Sequence, residues 1–271
     1  MNNEVLNFFS KYIEQEIGII YSEQNLYQLK NRLEEVIKTL NIPDVKTLYQ
    51  DILSNSPRFK KQVLLDIATN NETSFFRDPR VFNAIGTVLS DLVEKTQKDN
   101  QELRIWSAAT STGQEPVSVA ILMEELREAL KTNIKYSILC SDISERVLNY
   151  AQNGKYSDLE VGRGLRSDLL TKYFSEENSK WKVDSKISQR MTFLKHNLKD
   201  PCSHLGKFHL VLCRNILIYQ NVESKKEILS HLAHSIHSGG YLVLGAGESL
   251  MGLSDLFTQT IVEGAVFYRR K

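Results

Sequence analysis

The sequence predicts an α/β protein. A mainly parallel sheet covered by helices is preceded by an all-helical N-terminal domain and interrupted by a small inserted β subdomain. Three observations carry this. Residues 1 to about 70 show helical periodicity and no strand pattern. From about residue 100, short apolar runs alternate with amphipathic helices, the order that builds parallel sheets. Residues 155–190 break that rhythm with polar, charge-rich sequence. The chain therefore divides into 1–75 and 76–271, with 155–190 inserted in the second part.

The elements follow in order. Leu26, Leu29, Leu33, Val36, Ile37 and Leu40 recur at the spacing of one helix face. Asn41 and Pro43 end that run. Asp44 caps the next helix, which carries Leu48, Ile52 and Leu53 on one side. Another helix starts near Pro79. Leu103–Ala109 is a short apolar run followed by a Gly-containing turn, and Pro116–Leu130 is a helix with Pro in its first turn. Tyr136–Cys140 is a strand ending at Asp142. Ile143–Ala151 is a helix stopped by Asn153-Gly154. The insertion, with Gly162-Arg163-Gly164-Leu165-Arg166 and Trp181-Lys182-Val183, reads as short antiparallel strands. Met191–Leu194 and Phe208–Cys213 are strands. Val222–Ile236 is a helix ended by Gly239-Gly240, and Tyr241–Leu244 and Val266–Tyr268 are the last strands.

Composition narrows the function classes. Hydrophobic residues make up 41% and charged residues 25% of 271, the mix of an ordinary globular protein with a full core. A formal net charge of +1 offers no global field for nucleic acid or an anionic membrane. No apolar run approaches the roughly 18 residues of a membrane span. Met1-Asn2-Asn3-Glu4 lacks the basic start of a signal peptide. A cytoplasmic protein is expected, without nucleic-acid binding or direct membrane insertion. Cys140, Cys202 and Cys213 are an odd number without metal spacing, and Cys140 and Cys213 sit in strand-like runs as buried thiols. His231, His234 and His237 flank the apolar face formed by Ile228, Leu229, Leu232 and Ile236, the position of solvated or half-buried side chains rather than metal ligands.

Four segments carry candidate chemistry. Asn71-Glu72-Thr73-Ser74-Phe75-Phe76-Arg77-Asp78 fits neither the helix nor the strand period. It gathers hydrogen-bonding groups beside an Arg, as a ligand loop does; a loop capping the helix at Pro79 has the same appearance. Ala108-Ala109-Thr110-Ser111-Thr112-Gly113-Gln114-Glu115-Pro116 places small residues at a helix start, where unpaired N–H groups face outward. It lacks the G-x-G-x-x-G of dinucleotide sites, which counts against an NAD-dependent oxidoreductase. Glu115 also suits the helix macrodipole. Asp142, at a strand end, can accept both vicinal hydroxyls of a ribose or cap the helix at Ile143, and the two roles are compatible. Arg214, directly after Leu210-Val211-Leu212-Cys213, needs a carboxylate partner or a cleft because burying it unpaired is costly. Tyr219, read alone, suits core packing, although its phenol can reach the same strand end.

In this order, Asn71–Asp78, Ser107–Ser118, Cys140–Tyr156, Gly162–Leu165, His196–Leu198, Phe208–Tyr219 and Gly239–Leu250 resemble the CheR family of chemoreceptor glutamate methyltransferases. The resemblance covers nearly the whole chain. It implies a Rossmann-like methyltransferase domain over 76–271 and S-adenosylmethionine as methyl donor. The acceptor would be a glutamate of a chemoreceptor cytoplasmic domain, and no metal is implied. It implies a cofactor site lined by Asn71, Thr73, Arg77, Glu115, Asp142, Asn197, Leu198, Arg214 and Asn215, with Arg77 and Tyr219 at the reacting centre. A monomer is expected. A second reading retains cofactor binding without turnover, as an adaptor of a signalling complex.

The chain departs from the family pattern in places. Gln114 stands where Glu is usual, and Val117 where Tyr is common. Arg32-Leu33-Glu34-Glu35-Val36-Ile37-Lys38 is mixed in charge where members often carry a basic docking helix. Ser175-Glu176-Glu177-Asn178-Ser179-Lys180-Trp181 is short for gripping a receptor C-terminal pentapeptide, so no dependence on such a tether is expected.

Overall fold

A computed structural model describes residues 2–54 and 58–271. Met1 of the N-terminal stretch lies outside them. Helices α1 (Asn3–Ile17), α2 (Leu26–Leu40), α3 (Val45–Leu53) and α4 (Arg58–Ala68) surround a core that includes Phe9, Ile13, Leu29, Leu33, Leu48 and Leu64. Local signals set their ends. Asp44 Oδ1 accepts the Thr47 N–H at 2.8 Å, and Gly18 and Asn41 close α1 and α2 in the left-handed region at φ 76° and 50°. Leu53, expected on the buried face of α3, is 57% exposed because the helix ends there.

The sheet follows. Helix α5 (Pro79–Lys98) leads into β1 (Leu103–Ser107), α6 (Gln114–Leu130), β2 (Tyr136–Asp142) and α7 (Glu145–Asn153). The insertion contributes β3 (Lys155–Tyr156), α8 (Asp158–Val161), α9 (Ser167–Tyr173), β4 (Phe174–Glu177), β5 (Lys180–Val183) and α10 (Ser185–Ser188). The chain returns as β6 (Met191–Lys195), β7 (Phe208–Cys213), α11 (Val222–His234), β8 (Ile236–Leu244), β9 (Phe257–Val262) and β10 (Ala265–Arg270). The seven-stranded order is β6-β2-β1-β7-β8-β10-β9. The first five strands are parallel, and β10 runs antiparallel to both of its neighbours.

Alternation along the central strands builds a core on each face. Ile105, Leu210 and Leu212 pack toward α5 and α6; Trp106, Val211 and Cys213 pack toward α11. From β1 the chain winds outward through β2 and β6, then returns to β7 on the other side of β1. The strand order thus reverses between β1 and β7, the place where open α/β sheets bind ligands. No helix among the described residues is long and apolar enough to cross a membrane.

Several boundaries differ from the sequence reading. Helix α6 starts at Gln114 rather than Pro116, because Gly113 at φ 97° makes the turn into it. Helix α7 starts at Glu145 rather than Ile143, because Ser144 caps it, and it runs on to Asn153. Helix α11 stops at His234. The glycine pair Gly239-Gly240, read as its end, lies inside β8, where Gly239 at φ 79° accompanies a register shift against β7. Strand β9 was not expected; it is a sheet-edge strand with only Phe257 fully buried, so its alternation is weak.

The insertion is a three-stranded antiparallel sheet, β3-β5-β4. Asn178 and Ser179, both at positive φ (51° and 58°), form the two-residue turn between β4 and β5. Phe75 fastens this sheet to the molecule. Its ring is fully buried and meets Tyr156 and Phe174 edge-on at centroid distances of 5.0 and 5.7 Å. Replacing Phe75 with Ala is expected to cost about 3–5 kcal/mol in urea unfolding, the usual loss for a buried aromatic.

Candidate functional site

A cleft of about 960 Å³, open mouth included, lies beyond the C-terminal ends of β1, β2, β6 and β7. Asn71, Thr73, Arg77, Glu115, Asp142, Asn197, Leu198, Arg214, Asn215 and Tyr219 all line it. The structure thus brings every residue expected at the site to one place, from five separated segments.

Arg214 is the centre of the charged end. It leaves β7 with its side chain only 1% exposed. Its Nη1 donates to Glu115 Oε2 at 3.2 Å, and its Nη2 donates to Asp78 Oδ2 at 2.6 Å and to the Arg77 carbonyl at 2.9 Å. Ser107 Oγ donates to the other Glu115 oxygen at 2.8 Å. The Phe82 ring lies 5.5 Å from the guanidinium carbon. The expected carboxylate partner and the expected cleft are therefore both present.

The 71–78 loop is held from several sides. Phe76 N–H donates to Ser118 Oγ at 3.0 Å, and Ser111 Oγ donates to the Asn71 carbonyl at 2.7 Å. Arg77 Nη1 donates to the Glu72 carbonyl at 2.9 Å. Asp78 sits in the left-handed region at φ 63° before Pro79. Gly164 of the insertion packs against the loop so closely that a Cβ there would stand 2.0 Å from the Phe75 carbonyl oxygen.

Asp142 is the acid at the middle of the cleft. Ser111 N–H donates to its Oδ2 at 2.8 Å, and Ser144 N–H to its Oδ1 at 3.0 Å. A carboxylate has about four acceptor positions, so both oxygens keep capacity for a ligand. Burial pushes its carboxyl above the ordinary range, against the lowering effect of the backbone hydrogen bonds; Asp66 nearby adds to the rise.

Tyr219 is half-buried at the cleft rim rather than packed in the core. Its hydroxyl accepts from Asn70 Nδ2 at 2.7 Å. Asn197 turns its amide toward the N-terminal helices and donates to the Glu16 carbonyl at 2.9 Å. Ile17 and Ile19, at the end of α1, also line the cleft.

Other lining residues were not expected as site residues: Ser111, Asn70, His196 and Gln220. The hydroxyl-rich turn around Ser111 and the His196–Leu198 segment were visible in the sequence. The strand pairing that brings His196 beside Asp142, whose carbonyl accepts the His196 N–H at 3.0 Å, was not. Three lining side chains hold buried polar atoms without a hydrogen-bond partner among the described residues: His196 Nε2, Arg214 Nε and Gln220 Oε1. Such atoms are uncommon in folded proteins, and in the cleft a ligand or ordered water would supply their partners. Burial holds His196 below its ordinary pKa. The cleft thus offers an acid for a diol, cationic and amide groups for a carboxylate, and apolar walls, a donor set that fits an adenosyl amino acid.

Residues 71–265 match the CheR methyltransferase SAM-binding domain. The chain belongs to the CheR methyltransferase family. It is 34% identical to chemotaxis protein methyltransferase 1 of Pseudomonas aeruginosa, over 99% of this chain and 98% of the relative. Its identity to the chemotaxis protein methyltransferase of Vibrio parahaemolyticus is 33%, over 97% and 95%. A Borreliella burgdorferi chemotaxis protein methyltransferase is 29% identical, over 94% and 92%. Family membership makes the α/β unit a Rossmann-like S-adenosylmethionine methyltransferase fold.

Two outcomes follow from this geometry. Arg214→Met would leave Glu115 and Asp78 without their cation, and is expected to cost about 3–5 kcal/mol in denaturant unfolding. For Asp142 the folded carboxyl titrates above its unfolded value. Its contribution to stability is therefore fully present below the unfolded value and is lost as pH rises through the folded one. Asp142→Asn removes this titration but turns an amide N–H₂ toward one of the two backbone N–H donors, so the variant is expected to melt below the parent, with a flatter dependence in acid. Thermal unfolding across that range checks both statements.

Proposed function

We propose that the protein transfers the methyl group of S-adenosylmethionine to glutamate side-chain carboxylates of a chemoreceptor cytoplasmic domain. The product is a glutamyl γ-methyl ester, the covalent mark of sensory adaptation in chemotaxis. The observation that carries this reading is the convergence of Asp142, Arg214, Arg77 and Tyr219 on one cleft whose lining residues hold buried, unpartnered polar atoms. The names of the relatives support the chemotaxis assignment.

S-adenosylmethionine, when bound, supplies a methyl group on a sulfonium, a leaving group that needs no activation. Asp142 accepts the ribose hydroxyls with the lone pairs its two backbone donors leave free. Leu198 and the backbone of Asn197 would border the base, and Asn71, Thr73, Glu115, Arg214 and Asn215 would hold the amino-acid end. Arg77 keeps donors beyond the one used on Glu72 and orients a carboxylate. Tyr219 accepts from Asn70 and so keeps its own proton to donate toward the acceptor. An ionised glutamate is already a nucleophile. Catalysis is then in-line positioning with local exclusion of water, and no general base is required.

The chain divides in function as 1–75 and 76–271, with 155–190 inserted. The α/β unit holds the cofactor together with Asn71 and Thr73 from the end of the first unit, and the helical unit walls the cleft and presents the acceptor. Arg32 does not belong to a docking surface, because it points inward to the carbonyls of Ile67 and Thr69 at the end of α4. The exposed residues of α2 include Lys30, Glu34, Glu35 and Lys38, a mixed surface. The tight Asn178-Ser179 turn supports recognition without a pentapeptide tether. The enzyme works in the cytoplasm as a monomer.

Calorimetric titration with S-adenosylhomocysteine tests the site. Micromolar binding is expected, weakened by about ten- to a hundredfold in Asp142→Ala, the loss of hydrogen bonds to a charged group. Labelled methyl transfer to a receptor cytoplasmic fragment, released as methanol in alkali, tests the ester. Binding without alkali-labile label would make the protein an adaptor.

A further inference from the structure

The parallel ladder between β7 and β8 ends at the pair Cys213–Leu244. Just beyond it, the chain from β7 turns through Arg214 and Asn215 into a short 3₁₀ turn, Leu217–Tyr219. Asn215 is not a glycine, yet it stands in the left-handed region at φ 59°. Such a conformation persists only where its surroundings hold it. This turn carries two cleft residues, Asn215 and Tyr219, so what holds it bears on the site.

The holder is a side chain from a different segment. Glu248 lies in the loop after β8 and is half-buried. Its Oε2 accepts the Asn215 N–H at 2.8 Å and the Gly245 N–H at 2.7 Å, and its Oε1 accepts the Ile218 N–H at 3.1 Å. One carboxylate thus takes three backbone donors that the ended ladder no longer serves. The bonds are charge-assisted, the stronger class of hydrogen bond. The approach is close enough to exclude a side chain at Gly245. A Cβ there would lie 2.7 Å from Asn215 Nδ2, 2.9 Å from the Asn215 nitrogen and 2.9 Å from Glu248 Oε2.

Tyr219 stands at the far end of the clamped turn. Its own carbonyl accepts the Ile20 N–H at 2.9 Å, and its hydroxyl is fixed by Asn70. Those contacts set where the ring can go once the turn is formed; Glu248 sets the turn itself. Glu248 is absent from the residues lining the cleft, so it acts only through others.

We infer that Glu248 is a positioning residue that clamps the Asn215–Tyr219 turn and so places the Tyr219 hydroxyl and the Asn215 amide at the reacting cleft. Its consequence for methyl transfer rests on the function proposed above; the clamp itself does not.

The test compares the full chain with Glu248→Ala and Glu248→Gln. Gln keeps one carbonyl oxygen for Asn215 and Gly245 but turns an N–H₂ toward the Ile218 N–H. Amide hydrogen exchange over residues 214–220 is expected to quicken about tenfold or more in Glu248→Ala, as local opening becomes easier, with Glu248→Gln intermediate. The kcat for methyl transfer is expected to fall about tenfold or more while the acceptor KM moves less than about threefold, because a small misplacement at a reacting centre has a large effect on rate. Partial rescue of kcat by Gln over Ala completes the expected pattern. Exchange and kcat like those of the parent in Glu248→Ala would overturn the inference, as would faster exchange with unchanged kcat. Should the Ala variant fail to fold, the Gln variant, which keeps two of the three bonds, carries the same comparison. A parent protein that neither binds S-adenosylhomocysteine nor transfers methyl would overturn the proposed function, while the exchange comparison would still decide the clamp.

Discussion

A buried arginine organises this molecule. Arg214 emerges from the end of β7 into a place where its guanidinium is almost wholly removed from water. A charge there is tolerable only with partners held at hydrogen-bond distance. Glu115 comes from the first turn of α6, and Asp78 and the Arg77 carbonyl come from the loop before α5. Three segments far apart in sequence are thereby bound to one point. Asp78 accepts a left-handed backbone to reach it, and Ser107 occupies the second oxygen of Glu115. The loop that carries Asn71, Thr73 and Arg77 into the cleft takes its position from this network below and from Phe75 behind.

The same arrangement gives the cleft a direction. Charged groups gather beside β1 and β7, at Arg77, Glu115 and Arg214. Asp142 at the end of β2, with Ile143 and Leu198, lines the cleft on the other side of β1. A ligand with a charged end, a diol and a flat apolar end would lie across these groups in one orientation. Part of the apolar wall, Ile17 and Ile19, belongs to the N-terminal helical unit. The last carbonyls of α1 lack partners within their helix, and side chains across the cleft supply them. Asn197 donates to Glu16, Lys199 to Gln15, and Gln220 to Ile17. The helical unit is therefore a wall of the cleft as well as a surface of its own.

Much of this was legible in the chain. Helical spacing located α2 and α3, and Asp44 capped α3 as read. The alternation of apolar runs and helices announced the parallel sheet, since each strand buried on both faces must be apolar throughout. The loop 71–78, Glu115, Asp142 and Arg214 were legible because they stand at a strand end, a helix start or a break in periodicity, whereas the full set of ten cleft residues came from the resemblance to the CheR family. The errors were also physical. Gly239-Gly240 looks like a helix stop, but the ladder with β7 absorbs it as a kink in β8. Strand β9 lies at the sheet edge, where one buried Phe does not make a pattern. Tyr219 looked like core because an aromatic after an apolar run normally is.

The sequence by itself determined which segments become helices and strands, where they end to within a few residues, and which residue types stand at the strand ends, because these depend on periodicity and on neighbours in the chain. Only the tertiary structure decided which of those residues meet. That Arg214 pairs with Glu115 and Asp78, that His196 lies beside Asp142, and that Asn197 faces α1 depends on strand order and packing between segments more than a hundred residues apart in several cases. Nothing within a local window encodes such distances, and the desolvation that makes these pairings obligatory exists only once the core has closed.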